Sequence, residues 1–151
     1  MFEYVKNVDW ARMAAFIDGE GCIAITRLSF GVKNPRYQLV LQITNTDPRL
    51  LIWLGKTFEG QGSFSVRPIE GQRPRHDWCI ASKKAEAILQ GCLPYFVMKR
   101  DQAELAIAFQ KTKRYWGKSG IVPTDIRSSW ELMYQEMQAL KVPPVRMEQI
   151  Q

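Results

Sequence analysis

Two carboxylates lie close together near the start of the chain, at the end of a predicted helix. They are Asp18 and Glu20, each followed by a glycine, in the stretch WARMAAFIDGEG over residues 10–21. Helix C-termini carry partial negative charge and prefer basic residues, so two acids there are electrostatically unfavourable unless a cation lies nearby. Carboxylate oxygens are ligands that hard divalent ions such as Mg²⁺ prefer. The spacing is compatible with a metal site, and a solvated acidic turn explains it equally well.

Other catalytic chemistries have little support in the sequence. His76 is the only histidine, and the chain has no GxSxG motif or glycine-rich phosphate loop, which argues against histidine-centred nucleophilic catalysis and nucleotide binding. The three cysteines, Cys22, Cys79 and Cys92, form no CxxC pair. A disulfide framework or structural zinc site is therefore not indicated, and a reducing compartment is expected.

The helix that carries the acids is apolar all round. At about 100° per residue, the bulky residues fall on one side: Trp10, Met13, Phe16 and Ile17. The other side carries Ala11, Ala14, Ala15 and Asp18. Such a helix must be buried on both sides. We expect the bulky side to face the core and the small side to meet the same helix of a second chain; a plain core helix is the alternative.

Length and charge limit the class of protein. A chain of 151 residues, 46% hydrophobic and 24% charged, is long enough for one domain with a substantial core. Its net charge of +6 and pI near 9.4 favour an acidic partner, most often nucleic acid, although ordinary basic proteins share this balance. No apolar run approaches the length of a membrane span, and the first residues lack a signal-peptide pattern. We expect a soluble intracellular protein of a bacterial or archaeal cytoplasm or of an organelle.

Hydrophobic periodicity predicts the elements that position the two acids. In chain order they are a helix at about 9–21, strands at 22–28 and 37–44, a helix at 47–58, strands at 63–67 and 75–80, and helices at about 82–91, 99–115 and 124–140. Asp9, Asp47 and Ser82 are expected to cap the first three helices. The order is α-β-β-α-β-β-α, followed by extra helices.

Alternation within the strands predicts a sheet with one apolar and one polar, basic face. The residues expected to point inward are Tyr37, Leu39, Leu41, Ile43, Phe64, Val66, Trp78 and Ile80. The outer face would carry Arg36, Gln38, Gln42, Thr44, Ser63, Ser65, Arg67, Arg75 and Asp77. Such side chains can read base edges in a DNA major groove, and an ordinary solvated face is the alternative.

The motif MAAFIDGEG at residues 13–21 resembles that of the LAGLIDADG homing endonucleases. Met13 stands for the first Leu, Ala15 for the first Gly, Phe16 for the second Leu, and Gly-Glu-Gly at 19–21 for Ala-Asp-Gly. The predicted order of elements also resembles that fold, in which a saddle-shaped antiparallel sheet lies over DNA, and the resemblance covers most of residues 9–115. It implies one α+β domain over residues 1–151, with a C-terminal helical extension at about 116–142.

The resemblance implies roles for individual residues in metal-dependent DNA hydrolysis. Glu20, together with Gly19, would bind Mg²⁺, for which Mn²⁺ would substitute, and the copy of Glu20 in a partner subunit would complete a paired site. Asn45 resembles a position that often holds Gln near the metal-bound water. Lys99 resembles the lysine that stabilises phosphate charge or orients water. Asp18 would cap the helix end and help two motif helices to pack.

The residues expected to contact DNA lie mostly on the outer face of the sheet. They are Lys33, Arg36, Gln38, Gln42, Arg49, Ser65, Arg67, Arg73, Arg75 and Asp77, with Lys113 as a further phosphate contact.

A single motif supplies only one half of a paired site, so the resemblance implies a homodimer joined through Ala11, Ala14, Ala15 and Asp18. The expected activity is that of an intron-encoded endonuclease that makes a double-strand break in a long, near-palindromic DNA target and leaves 3′ overhangs. Two alternatives stay open at this point. One is an intron maturase of the same fold that binds RNA as a splicing cofactor, and the other is a DNA-binding regulator that does not cleave.

Overall fold

A single antiparallel sheet covered by helices forms the computed structural model, which describes residues 1–28, 35–116 and 122–142. Its elements are α1 (Asn7–Glu20), β1 (Gly21–Leu28), β2 (Arg36–Asn45), α2 (Pro48–Thr57), β3 (Ser63–Arg67), β4 (Arg75–Ala81), α3 (Ser82–Cys92), a 3₁₀ turn (Leu93–Tyr95), α4 (Arg100–Trp116) and α5 (Thr124–Leu140). The predicted order of helices and strands is confirmed. No helix in these ranges combines the length and apolar character needed to cross a bilayer.

The sheet has the strand order β1-β2-β4-β3, so the two hairpins meet through their second strands. In the central β2–β4 pair, Leu41 lies opposite Ile80, and Ile43 lies opposite Trp78. Alternate residues of a strand share a face, and the inward residues of β2 are all buried as predicted: Tyr37, Leu39, Leu41 and Ile43. They pack into one core with residues of every helix, among them Met13, Ile17, Leu54, Ile88, Phe109 and Trp130.

Phe64 and Val66 point inward as predicted, but they are not buried. They lie opposite Trp78 and His76, which places them on the helix-covered face, yet their exposed fractions are 45% and 58%. The reason is that β3 is the edge strand, and α2 covers it only in part. An open groove of about 430 Å³ remains between Phe64, Val66 and helix α2.

Helix capping follows the sequence prediction in one of three cases. Asp47 caps α2, since its carboxylate accepts a hydrogen bond from the backbone N–H of Arg49 at 2.9 Å. Helix α1 begins earlier than expected, with Lys6 at the N-cap, so Asp9 lies in the first turn and is not the cap. Ser82 is the first residue of α3 with φ of 56°, and it makes no side-chain capping bond.

The first helix packs closely against the third where the Trp10 side chain lies on Gly91. A Cβ atom added at Gly91 would lie 2.6 Å from ring carbons of Trp10, well inside van der Waals contact. The indole of Trp10 therefore occupies the space that any other residue at position 91 would fill. This contact holds the N-terminal half of α1 against α3.

Replacement of Gly91 by Ala should lower the free energy of unfolding by about 1–3 kcal/mol, because the added methyl group overpacks a contact with a rigid ring. Urea unfolding measures the effect. Gly55→Ala is the matched control: its Cβ would meet only a Phe64 ring carbon at 3.5 Å, an ordinary contact, and Ala favours the helix by up to about 1 kcal/mol. Equal stability of the two variants would contradict the close packing at Gly91.

Candidate active site at the end of the first helix

Helix α1 passes into strand β1 without an intervening loop, and Gly21 makes this possible. A Cβ atom at position 21 would lie 2.7 Å from the Cα of Ile17 and 2.9 Å from its carbonyl oxygen, so only glycine fits there. Gly19, in contrast, has nothing within 4 Å of a built Cβ. The close turn places Glu20, which is exposed, at the junction of the helix and the sheet.

Asp18 is buried in its own chain, where it binds the start of α4. Its carboxylate accepts hydrogen bonds from the backbone N–H groups of Val97 at 2.8 Å, Met98 at 3.2 Å and Lys99 at 2.9 Å. These residues directly precede α4, so the carboxylate supplies negative charge where the helix dipole favours it. Asp18 therefore caps the start of α4 rather than the end of its own helix, and its expected role in the packing of two motif helices stays a prediction.

Lys99 returns a positive charge to the end of α1. Its ammonium group donates hydrogen bonds to the carbonyl oxygen of Ile17 at 2.8 Å and to that of Gly21. The side chain is partly buried, and desolvation lowers its pKa from the ordinary lysine value. The ammonium group of Lys99 is therefore bound to the backbone within its own chain. It neutralises the partial negative charge of a helix end that has no basic residue in its own last turn.

Asn45 lies beside Glu20, as the resemblance implied. Its Nδ2 donates a hydrogen bond to Glu20 Oε2 at 2.5 Å, while its Oδ1 accepts one from the backbone N–H of Asp47 at 2.7 Å. The second bond fixes the amide so that its N–H₂ group points at the carboxylate. Glu20 and Asn45 line an open cavity of about 340 Å³, together with Thr44, Thr46 and Arg75.

The donor atoms at this junction fit a hard divalent ion. Glu20 offers a carboxylate. Gly19 offers a backbone carbonyl of the last helical turn, and such carbonyls accept no hydrogen bond from within their own α-helix. Across the described ranges, no group of three or more His, Cys, Asp or Glu side chains is placed to hold a metal. Among the described residues, Glu20 is the one carboxylate that lines this cavity.

The face of α1 that is open to a second chain is narrower than expected. Ala15 is exposed and Ala11 is half-buried, but Ala14 is fully buried in its own chain. The exposed stripe also includes Val8, 58% exposed, and Gly19. These positions recur every three to four residues, so they form one strip along the helix.

Asp77 binds several polar side chains of the outer face of the sheet. It is 5% exposed, and its carboxylate accepts hydrogen bonds from Arg67 Nε at 2.7 Å, Arg67 Nη2 at 3.2 Å, Thr44 Oγ1 at 2.5 Å and Gln42 Nε2 at 3.3 Å. These bonds, with the one from Arg67 largest, hold the pKa of Asp77 at about 2. Asp77 thus orients donors of the outer face, with its own acceptor atoms already occupied.

The strand register places the other predicted DNA contacts of the sheet on the outer face. Those on the strands are Arg36, Gln38, Gln42, Ser65, Arg67 and Arg75. Arg73 is exposed in the loop before β4. Arg49 is held by Asp47 through bonds of 2.5–3.0 Å. Lys33 lies outside the described residues.

The expectation that Lys113 contacts phosphate was wrong. Its ammonium donates to the carbonyl oxygen of Tyr37 and lies 5.3 Å from the ring centre of Trp130. Burial lowers its pKa. The side chain fastens α4 to the sheet on the side opposite the polar face, because Tyr37 is an inward residue of β2.

Sequence reasoning missed two features of the site. Thr46 lines the cavity beside Glu20, and Asp47 binds Arg49 in addition to capping α2. The signal for both was the run Asn-Thr-Asp-Pro at 45–48, where a strand end meets a helix start and polar side chains converge.

Comparison with known proteins identifies the fold. No protein-family model matches the sequence, and no curated protein matches it at a significant level. Among solved structures, the homing endonuclease I-CvuI in complex with DNA matches 93% of this chain and 86% of its own, with a TM-score of 0.71 and 19% identity. An archaeal intron-encoded homing endonuclease, I-Vdi141I, complexed with DNA, matches 93% of this chain and 89% of its own, with a TM-score of 0.73 and 12% identity.

A third match carries the family's name. The LAGLIDADG homing endonuclease I-GzeII, in complex with its DNA target, matches 97% of this chain and 47% of its own chain, with a TM-score of 0.65 and 15% identity. The chain therefore has the fold of the LAGLIDADG homing endonucleases. The α+β fold class predicted from the sequence is confirmed, as is the resemblance at the level of the fold.

The carboxylate of Asp77 should stay ionised down to about pH 2, and Arg67→Ala should raise its pKa toward the ordinary value of 3.8, because Arg67 is the largest cause of the shift. A group whose pKa is lowered in the folded state stabilises that state above the unfolded pKa and loses this contribution as pH falls toward the folded pKa. Carboxyl-carbon NMR titration measures both values. An unchanged pKa in Arg67→Ala would contradict the assigned cause.

Proposed function

We propose that this protein is a homodimeric, site-specific DNA endonuclease of the LAGLIDADG type that hydrolyses phosphodiester bonds with Mg²⁺. One observation carries the proposal: Glu20 is exposed, bound to Asn45, and placed where the motif helix meets the polar face of the sheet. A fold shared with homing endonucleases that are described in complexes with DNA supports it.

Metal-dependent hydrolysis suits the residues at this junction. A bound divalent ion polarises the phosphate and lowers the pKa of a bound water. Glu20 and the Gly19 carbonyl would hold the ion, with Mn²⁺ as a substitute for Mg²⁺. Asn45 would orient the Glu20 carboxylate, since its own amide is already fixed by the N–H of Asp47. Lys99 acts as a positioning residue that holds the carbonyls of Ile17 and Gly21.

Two chains are needed because each supplies one carboxylate. The exposed strip of α1, with Ala15 at its centre, permits the close approach of a second α1 helix. A two-fold dimer presents the same face twice, so the target would be a long, near-palindromic DNA duplex. The net charge of +6 and the donors on the outer face suit such a partner.

The intron-encoded origin and the 3′ overhangs follow from the family resemblance alone. No observation on the described residues favours an RNA-binding maturase or a non-cleaving regulator over the nuclease. A splicing assay run beside a DNA cleavage assay would distinguish the first of these, and a duplex bound without cleavage in Mg²⁺ or Mn²⁺ would indicate the second.

Glu20→Gln should abolish Mg²⁺-dependent cleavage and keep DNA binding, since the change removes a metal ligand and no positive charge. A catalytic metal supplies several kcal/mol of transition-state stabilisation, so the rate should fall by about a thousandfold or more. Cleaved sites are first selected from a random duplex library with the unchanged protein and Mg²⁺. Glu136→Gln, at an exposed position of α5, is the matched control. Unchanged cleavage by Glu20→Gln would refute the role of Glu20.

Ala15→Arg should leave each chain folded, because position 15 is exposed in the single chain and surface changes usually alter stability by about 0.5 kcal/mol or less. It should block the close approach of two α1 helices and with it both dimer formation and cleavage. Sedimentation with and without duplex DNA measures the assembly. Ala139→Arg, at an exposed position of α5, is the control. A dimer that persists in Ala15→Arg would place the interface elsewhere.

A further inference from the structure

Arg49, one of the expected DNA contacts, forms an ion pair with Asp47 at the surface. Its Nε lies 3.0 Å from both carboxylate oxygens of Asp47, and its Nη2 lies 2.5 Å from Oδ2. It lines a separate cavity of about 320 Å³ with Phe16 and Trp53. The edge of the guanidinium formed by Nε and Nη2 is therefore directed at Asp47.

Arg75 lines the cavity that contains Glu20 and Asn45. It is the first residue of β4, and the β2–β4 register explains its location. Asn45 pairs with His76 and Thr44 with Asp77, so Arg75 comes next along β4, beside the end of β2. Its side chain is exposed, and within the described part of the chain it makes no hydrogen bond or ion pair.

The strand pairing leaves the charge of Arg75 uncompensated. Arg67 and Arg75 lie directly opposite one another on β3 and β4, and like charges in such a pair destabilise a sheet. Asp77 compensates Arg67 through two hydrogen bonds and is thereby occupied. A second anion, supplied from outside the chain, would remove the remaining repulsion. The cavity with Glu20 is the place where that anion would bind.

We propose that Arg75, rather than Arg49, contacts the phosphate beside Glu20 and stabilises the charge that develops on it during cleavage. This inference rests on the proposed function. In hydrolysis a water oxygen forms a bond to phosphorus, the bond to the leaving oxygen breaks, and a proton from the water ends on that leaving oxygen. Negative charge builds up on the non-bridging phosphate oxygens in the transition state. A planar guanidinium can donate two parallel hydrogen bonds to these oxygens.

Single-turnover cleavage separates this role from simple DNA binding. The substrate is a duplex that the unchanged protein cleaves, obtained from a random library, and affinity is measured on it separately with Ca²⁺. Arg75→Ala should lower the cleavage rate by about 100-fold, the usual cost of losing one preorganised transition-state donor, while its affinity falls by less than about tenfold. Arg75→Lys should recover part of the rate, because it retains the charge but not the paired donors.

Two arginines provide matched controls. Arg36→Ala removes the same charge from the opposite end of the outer face, where Arg36 pairs with Leu28, and should weaken binding with little change in the single-turnover rate. Arg49→Ala should slow cleavage by less than about tenfold, because Arg49 lines a cavity separate from the one that contains Glu20.

The outcomes distinguish this inference from the function on which it rests. If the unchanged protein and Glu20→Gln behave as a nuclease and its inactive variant, but Arg75→Ala cleaves at the normal rate, the role of Arg75 is overturned and the proposed function stands. The same holds if Arg49→Ala loses more activity than Arg75→Ala. If the unchanged protein cleaves no duplex, the function and this inference fail together.

Discussion

The end of the first helix and the start of the fourth are joined by two complementary charges. Asp18, from the C-terminal turn of α1, binds the N–H groups that precede α4. Lys99, the residue before α4, binds the carbonyl oxygens of Ile17 and Gly21 at the end of α1. Each helix end receives the sign of charge that its dipole favours. Hydrogen bonds to a charged group contribute about 1.5–3 kcal/mol each and are not additive. Asp18 and Lys99 together hold the C-terminal end of α1, where Glu20 lies, against the start of α4.

Glu20 is held from the sheet as well as from the helices. Gly21 lets β1 begin against the backbone of Ile17, and Asn45 reaches the carboxylate from the end of β2. The Gly91–Trp10 contact sets the other end of α1. The exposed carboxylate is therefore the end point of a rigid framework, although it has few neighbours of its own. If Glu20 binds a metal as proposed, a carboxylate held in this way needs little reorganisation when the ion binds.

Local patterns in the sequence were sufficient to predict most of the fold. Alternation over residues 37–44 predicted both a strand and its buried face, and Asp47 followed by Pro48 predicted a helix start. The burial of Phe64 and Val66 could not be predicted in the same way, because it depends on whether a helix covers the edge strand.

The position of Glu20 followed from its motif. The partners of Asp18 did not, because they lie 79–81 residues further along the chain. For the same reason Ala14 belongs to the core: α1 packs against both the sheet and α3, so its buried stripe falls between the two predicted sides.

Two copies of Glu20 that share a metal must lie close together, and the distance between them in the DNA-bound protein tests this requirement directly. A crystal structure of the protein bound to an uncleaved duplex gives this distance without any substitution at the interface. With α1 packed against its copy, the two Glu20 carboxylates should lie within about 10 Å of each other, one helix diameter. A separation greater than about 20 Å, two helix diameters, would contradict a shared metal site.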